Sequence, residues 1–134
     1  MNSEYLAKFI DKNFEYYIGK FDKIQMTNSK RTWNWASFLF ASYWALYRKM
    51  YSLGIILLCT NFVISYIPVI GWLCNIAIWV AMGLYGNSIY LDHINKNIGL
   101  IESNNIESKD ELIKRKGGVN PTIVCIVIII SIII

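Results

Sequence analysis

Apolar and polar positions follow one another along this chain in long blocks. The longest apolar block runs from Ser52 to Leu91, forty consecutive residues without Asp, Glu, Lys, Arg or His. A hydrocarbon core of about 30 Å takes roughly 20 helical residues, so this block is long enough for two crossings. Pro68 and Gly71 lie near its middle, where they favour a turn. The pattern predicts a transmembrane helical hairpin, in which Tyr51 to Tyr66 leads outward and Trp72 to Leu91 returns.

A second apolar block, Trp33 to Tyr47, precedes the hairpin and is rich in aromatic residues. With about 15 residues it is shorter than a usual membrane span. Tryptophan and tyrosine favour the lipid headgroup region, where the apolar ring and the polar N–H or O–H are both satisfied. A crossing would also separate Lys30-Arg31 from Arg48-Lys49, against the charge bias of membrane proteins. We expect a half-buried interfacial helix packed against the hairpin; the alternative is a short tilted span.

The N-terminal block has apolar residues three and four positions apart, with charged residues between them, from Glu4 to Ile24. This spacing predicts one amphipathic helix, which Gly19 weakens. An amphipathic helix covers a protein surface or lies on a bilayer. The candidate partner face consists of three aromatic residues: Phe9, Tyr16 and Phe21.

The chain beyond the hairpin predicts a cytoplasmic extension and a last membrane segment. A helical stripe of isoleucines continues past the membrane at Ile94, Ile98 and Ile101. Ser108 and Glu111 have the spacing of a capping box, and Gly117-Gly118 would close the short basic helix that follows. Val119 to Ile134 is uncharged and predicts a C-terminal membrane segment, shorter than a full span.

These blocks divide the chain into four segments of an all-α membrane protein. The first segment, 1–31, is an amphipathic cytoplasmic helix with its linker, and the second, 32–91, is a membrane core of aromatic helix and hairpin. The third, 92–118, is a basic cytoplasmic segment, and the fourth, 119–134, is a C-terminal apolar membrane segment. The thirteen Lys and Arg residues flank the apolar blocks. Because short cytoplasmic loops carry excess Lys and Arg, the N-terminus and both ends of the hairpin are expected in the cytoplasm.

Composition and motifs exclude several classes of protein. Hydrophobic residues make up 55% and charged residues 16%, whereas soluble domains average about 25% charged residues. The net charge of +4 is not gathered into the basic stripe of a nucleic-acid-binding face. Nucleotide-binding, zinc-protease, hydrolase and redox motifs are absent from the sequence. We therefore expect no enzyme, no cofactor, no metal and no nucleic acid, and a lipid bilayer as the first partner.

The titratable and sulfur-containing residues suggest no reaction. Asp92-His93 is an adjacent acid and base, but adjacent helical residues point about 100° apart, so interfacial solvation is the expected role. The three cysteines lie in apolar runs without CxxC spacing and are expected to be small buried residues: Cys59, Cys74 and Cys125.

Polar residues in or beside the membrane block are candidates for binding roles. Asn61 and Asn75 are expected to bond across the hairpin or between subunits. Arg48 and Lys49 are candidate contacts for lipid headgroups, with ordinary snorkelling as the alternative. Small residues in the returning helix allow another helix to approach closely, by default within the chain: Ala77, Ala81, Gly83 and Gly86.

Two stretches resemble the signature of a family of small bacterial membrane proteins, domain of unknown function 2628. TWNWASFLFASYWALYRKMY is similar to its Asn-Trp-Ala start, aromatic middle and Tyr-Arg-Lys-Met-Tyr end, and GLYGNSIYLDHINK to its Gly-Asn-x-x-Tyr segment. Ser37 stands where a second alanine is common. The matching positions are Asn34, Trp35, Ala36, Phe38, Trp44, Tyr47, Arg48, Lys49, Met50, Tyr51, Gly86, Asn87 and Tyr90. The resemblance implies an integral protein of the bacterial cytoplasmic (inner) membrane and supplies no activity.

The functional hypothesis is a non-enzymatic membrane adaptor. It would present the N-terminal helix and the segment Lys96 to Lys116 to a cytoplasmic or membrane protein, as a monomer or a homo-oligomer. The alternative is a holin-like, self-assembling permeability factor, which small size, several apolar helices and basic tails would permit.

Overall fold

The computed structural model describes residues 3–104 and 108–133, and the regular structure in these two ranges is helical throughout. This confirms the all-α class. The helices are α1 (Ser3–Ile10), α2 (Phe14–Thr27), α3 (Trp35–Tyr47), α4 (Tyr51–Ser65), α5 (Ile70–Ser103), α6 (Lys109–Lys116) and α7 (Pro121–Ile133).

Helix α5 is the axis of the fold, because five of the other helices pack against it. Helix α3 contacts the middle of α5, including Asn87 and Tyr90, and α1, α2, α4 and α6 also pack against α5. The predicted isoleucine stripe is confirmed, since Ile94, Ile98 and Ile101 are buried in the second half of α5. A single helix therefore joins two packed layers of different composition.

The N-terminal segment is two helices, so the prediction of one helix from Glu4 to Ile24 is wrong. The chain turns between α1 and α2 at Asp11 and Asn13, which have φ angles of 56° and 62°. Asp and Asn tolerate this left-handed conformation better than other non-glycine residues. Gly19 lies inside α2 without interrupting it. The turn lets Phe9 on α1 and residues of α2 reach the same core.

Helices α4 and α5 are joined by a tight turn, as the Pro68 and Gly71 positions predict. Val69 has φ 64° and ψ −63°, and the N–H of Ile70 donates to the carbonyl of Pro68 at 2.7 Å. This is the strained form of the three-residue γ-turn. Gly71 is buried against the carbonyl of Ile64, where a Cβ would meet the backbone.

The expected hydrogen bond between Asn61 and Asn75 across the hairpin is not formed. Both Oδ1 atoms are buried and have no hydrogen-bond partner within the described residues. The backbone carbonyl of Asn61 accepts a hydrogen bond from the hydroxyl of Ser65, in the same helix, at 2.6 Å. The amides therefore do not connect the two helices within one chain.

Helix α3 packs between α4 and α5, and a three-residue turn joins it to α4. Lys49 in this turn has a φ of 59°, and the N–H groups of Lys49 and Met50 donate to carbonyls at the end of α3. The backbone is irregular at Phe40, where α3 bends. Its 13 residues correspond to about 20 Å, shorter than a membrane core.

The C-terminal part contains the short basic helix and the apolar helix. Gly117 closes α6 as expected, because its N–H donates to the carbonyl of Ile113 at 2.8 Å. The prediction of a capping box is wrong, because the side chain of Ser108 makes no capping hydrogen bond to α6. Gly118 has a φ of 73° and redirects the chain into α7, which packs along α3.

Two stretches among the described residues are long and apolar enough to cross a membrane, judged by length and composition: Ile70–Ser103 and Lys109–Ile133. The second includes α6, the glycine turn and α7. Large apolar side chains are exposed along both, including Trp72 at 68% and Ile132 at 78%. The prediction that the cysteines are buried is wrong, because Cys59 on α4, Cys74 on α5 and Cys125 on α7 are all exposed.

Candidate functional site

The most polar part of the interior is an amide cluster between α3 and α5. The Asn34 side-chain N–H donates to Asn87 Oδ1 at 2.8 Å, and the Asn87 Nδ2 donates to the hydroxyl and carbonyl of Thr32 at 3.1 and 3.2 Å. Ser37 Oγ donates to the carbonyl of Met82 at 2.8 Å. All four polar residues are at most 4% exposed. The cluster joins the start of α3 to α5.

The local sequence explains why α3 begins at this cluster. Asn34 is the N-cap residue, with extended backbone, and its Oδ1 accepts the N–H of Ser37 at 3.0 Å. Asparagine is among the most favoured N-cap residues because its side chain satisfies an otherwise free N–H. Asn34 therefore has two functions: it caps α3 and it donates to α5.

Two glycines of α5 let α3 approach closely. A Cβ on Gly83 would lie 2.9 Å from the Trp33 ring and 3.0 Å from the Cβ of Phe38. A Cβ on Gly86 would lie 2.7 Å from the Cβ of Ser37. These distances are shorter than ordinary carbon contacts, so only glycine fits. The small residues at these two positions serve packing within the chain, which was the default expectation.

Arg48 is the centre of a second buried cluster. It is 2% exposed, and its guanidinium donates to the carbonyls of Ile10 at 2.9 Å and Lys12 at 2.8 Å. Its Nε has no partner among the described residues. The guanidinium also lies over three aromatic rings, 4.5 Å from the centroid of Tyr17, 5.2 Å from Tyr90 and 5.7 Å from Tyr47. Cations within about 6 Å of a ring face are attracted to it.

The two clusters are continuous through aromatic side chains. Trp44 on α3 donates its Nε1–H to the hydroxyl of Tyr17 at 3.1 Å. The rings of Trp44 and Tyr17 both meet the Tyr90 ring edge to face, at centroid distances of 6.1 and 5.0 Å. Phe21 completes the contact at 6.2 Å from Tyr90. One buried network thus connects α2, α3 and α5 with the turn after α1.

The network contains six of the thirteen residues on which the family resemblance depends. Six positions from two stretches far apart in sequence meet in it: Asn34, Trp44, Arg48, Gly86, Asn87 and Tyr90. Met50 is buried nearby, and Phe38 packs on Trp33. The others lie toward the surface: Trp35, Ala36, Tyr47, Lys49 and Tyr51 are exposed or half-buried.

The expectation that Arg48 contacts lipid headgroups is wrong, because its guanidinium is buried and bonded to backbone carbonyls. Lys49 is half-buried, and its Nζ donates to the carbonyl of Arg115 at 3.0 Å. Lys49 therefore fastens the start of α4 to the end of α6. Of the expected pair, Lys49 alone reaches the surface.

The expected partner face is largely inside the protein. Phe9 and Phe21 are 1% and 2% exposed, since they pack on α5 and its neighbours. Tyr16 is 41% exposed, and its hydroxyl donates to the carbonyl of Trp33 at 3.3 Å. Partial burial raises the pKa of Tyr16. Phe9 and Phe21 hold the N-terminal helices on the fold and offer no surface to a partner.

Asp92 and His93 have different neighbours. Asp92 is exposed and lies 4.0 Å from Lys30. The His93 ring contacts the Phe9 ring edge to face, with the amide of Asn97 3.4 Å from its Nε2. Within residues 3–104 and 108–133, no three His, Cys, Asp or Glu side chains gather as a metal site would require. The polar side chains of the interior hold helices in position.

Thr32, Ser37 and Tyr17 are network members that sequence reasoning missed. Each is a small or aromatic residue whose role depends on a partner more than 25 positions away. The N-cap preference of Asn34 was the available signal for the start of α3.

A surface cluster joins α1 to α6, because Lys8 on α1 pairs with both Glu4 and Asp110. The hydrogen bond to Glu4 is the largest cause of the raised pKa of Lys8, and the hydrogen bond to Asp110 is the second.

Comparison with protein-family models, with curated proteins and with solved structures finds no match to the chain. The resemblance to domain of unknown function 2628 stays a prediction from the residues quoted for it. What the described residues establish is an all-helical chain with two stretches that could span a membrane and a buried polar network.

Proposed function

We propose that this chain is an adaptor of a bacterial cytoplasmic membrane, anchored by the α4–α5 hairpin and carrying a helical bundle on the cytoplasmic side. The bundle consists of α1, α2, α6 and the second half of α5. The proposal is supported above all by the separation of charged from exposed apolar residues. Every Asp, Glu, Lys, Arg and His lies before residue 50 or between 92 and 116, whereas exposed large apolar side chains concentrate on α3, α4, the first half of α5 and α7.

The charged ends of several helices lie at one level of α5. Lys30 before α3 is 4.0 Å from Asp92, and Arg48 after α3 lies over the ring of Tyr90. Lys49 reaches the end of α6. Both flanks of α3 are therefore at the same end of the hairpin, which supports an interfacial α3 over a tilted span. By the charge bias of short loops, this end faces the cytoplasm.

The exposed surface of the hairpin supports an anchor more than a pore. Side chains on its outer side are large and apolar, such as Ile56 and Trp72, with small residues such as Ser52 and Cys59 between them. A conducting pore requires a polar or charged lining. The amides of Asn61 and Asn75 are turned inward. Such a surface is suited to lipid.

The outer face of α2 is the surface that we propose for a protein partner. Glu15, Gly19, Asp22 and Met26 are all exposed and follow the spacing of one helical face. Met26 is 86% exposed although it is apolar. The opposite face of α2, with Tyr17 and Phe21, is buried in the protein. This face replaces the one that the sequence pattern suggested.

Topology is tested by cysteine accessibility in intact cells. In a background with all three native cysteines replaced by serine, Ile67→Cys at the hairpin turn should react with a membrane-impermeant maleimide, because a thiol reacts through its thiolate in water. Asn95→Cys should react only after the membrane is permeabilised. Labelling of Asn95→Cys from outside intact cells would contradict the proposed orientation.

The adaptor role is tested by photo-crosslinking in the native membrane. A photoreactive residue at exposed position 25 should form a defined adduct that Asp22→Lys removes, because the charge reversal changes the proposed face. Glu111→Lys on α6 is the matched control and should leave the adduct unchanged. An adduct equally strong in the Asp22→Lys variant would contradict the role, as would concentration-dependent release of dye from vesicles by the purified protein.

A further inference from the structure

A basic groove lies where the turn after α3 meets α5 and α6. Two adjoining cavities of about 450 and 350 Å³ share Lys49, Tyr51 and His93 in their walls. The first is completed by Lys96 and Asp92 and the second by Arg115 and Lys116, so cationic side chains come from three separate parts of the chain. Asp92 is the acidic residue in these walls, and it faces Lys30 at 4.0 Å.

The donors in this groove have capacity to spare. Lys49 uses one of its ammonium hydrogens on the carbonyl of Arg115, and an ammonium group has three. Lys96, Arg115 and Lys116 are exposed, and their side chains form no ion pair within residues 3–104 and 108–133. Tyr51 is held in the wall by the side-chain N–H of Asn120, which donates to its hydroxyl at 3.0 Å. Among the described residues that line the groove, four cationic side chains therefore stand beside one carboxylate, that of Asp92.

The floor of the groove is apolar on the side of the hairpin. Leu53 and Ile89 line the first cavity below the basic rim, together with Met50. A free phosphate ion would gain nothing from this floor. A phospholipid has a phosphate at the level of the rim and glycerol and acyl carbons below it, so its chemistry corresponds to both parts of the wall. Basic pockets between membrane helices on the cytoplasmic side are known to take anionic headgroups.

We propose that this groove binds the headgroup of an anionic phospholipid, with the phosphate between Lys49, Lys96 and Lys116 and the glycerol region over Leu53. The proposal rests on the membrane placement proposed above, because the groove must lie at the headgroup level. Bound lipid would join the hairpin to α6 across the Lys49 contact. The site replaces the expected Arg48-Lys49 contact with one in which Lys49 has partners from α5 and α6.

The test uses the full chain in neutral detergent and measures saturable binding of a short-chain phosphatidylglycerol. Phosphatidylcholine of the same chain length and inorganic phosphate are the comparison probes. Lys96→Gln with Lys116→Gln should weaken phosphatidylglycerol binding about ten-fold or more, since each basic residue near a phosphate contributes substantially to lipid affinity. Lys12→Gln with Lys23→Gln removes the same charge from the exposed N-terminal segment and should change binding less than about two-fold.

Charge-preserving replacement by arginine at 96 and 116 should retain binding, and circular dichroism verifies that every variant is folded. Equal losses in both glutamine pairs would overturn the proposal in favour of diffuse attraction. Phosphate that competes as strongly as phosphatidylglycerol would overturn the assignment to a lipid, and so would phosphatidylcholine that binds equally well. Because this binding is measured in detergent without a protein partner, its failure is separable from failure of the topology or adaptor experiments.

Discussion

Replacing Arg48 with methionine is expected to lower the free energy of unfolding by about 3 kcal/mol. The guanidinium donates to the carbonyls of Ile10 and Lys12, and hydrogen bonds that involve a charged group contribute about 1.5 to 3 kcal/mol each. Methionine fills part of the volume but cannot donate. For a chain of this length the midpoint of thermal unfolding should fall by about 10 °C. Circular dichroism in a mild detergent measures the change.

The cost of desolvating a buried cation opposes this loss of stability. Replacing a complete buried ion pair with apolar residues is often neutral or stabilising. Here the partners of Arg48 are backbone carbonyls, which no substitution removes. In the variant these carbonyls must find water or remain unpaired, and the rings of Tyr17 and Tyr90 lose the cation. The loss therefore outweighs the recovered desolvation energy.

A local consequence distinguishes this role from general destabilisation. The carbonyl of Lys12 lies in the turn between α1 and α2, and Arg48 holds it there. When the guanidinium is absent, the turn should open more often, and trypsin should cut after Lys12 faster than after other lysines. Arg48→Lys supplies one donor group in place of two and should be intermediate. Arg31→Met changes an exposed arginine and should leave both the unfolding midpoint and the cleavage after Lys12 unchanged.

The sequence was informative where the structure of a segment depends on whether its side chains avoid water. The uncharged run from Ser52 to Leu91 predicted two helices and a turn at Pro68, and the isoleucine stripe beyond it predicted the extension of α5. Both patterns consist of side chains that avoid water. Those of the isoleucine stripe are buried in protein, whereas many of those in the uncharged run are exposed on an apolar surface. Periodicity therefore located the helices well.

The sequence was misleading where a residue's partner lies far away in the chain. Arg48 resembles an interfacial basic residue because it follows an apolar block, yet its partners are backbone carbonyls 36 and 38 positions earlier. Those carbonyls become available because Asp11 and Asn13 adopt left-handed conformations that interrupt the N-terminal helix. A helical pattern of apolar residues does not reveal such a break, and without it Phe9 and Phe21 look like an exposed face. One local conformation explains both errors.

The cysteines illustrate a different limit. An apolar run indicates that its side chains avoid water, but it does not distinguish burial in protein from exposure to lipid. Cys59, Cys74 and Cys125 are exposed on the apolar surface. An apolar run likewise does not identify the partner of a polar residue within it. The amide oxygens of Asn61 and Asn75 are buried, but they do not form the bond expected across the hairpin. Sequence composition identified the class of environment and could not identify the neighbour.

Replacing Asn87 with leucine is expected to cost about 2 to 4 kcal/mol of unfolding free energy. Leucine has a similar size, so the change removes the amide while filling most of its volume. The Asn34 side-chain donor and the Thr32 hydroxyl then lose their partner in a buried site, and each unsatisfied buried polar group costs about 1 to 3 kcal/mol. Asn95→Leu is the matched control, because Asn95 lies on the exposed side of the same helix. That variant should leave the midpoint of thermal unfolding within about 2 °C of the original.

The roles of the two ends of the Asn87 amide can be separated. In Asn87→Asp one carboxylate oxygen can still accept from Asn34. The other oxygen takes the place of Nδ2, which donates to the carbonyl of Thr32 at 3.2 Å, and it therefore faces that carbonyl as a second acceptor. Repulsion between two acceptors should make this variant at least as unstable as Asn87→Leu. A cycle of Asn34→Ala, Asn87→Ala and the double variant should give a coupling energy of about 1 to 3 kcal/mol. Additive single effects would show that the two asparagines act independently, and the amide cluster would then not be the connection between α3 and α5.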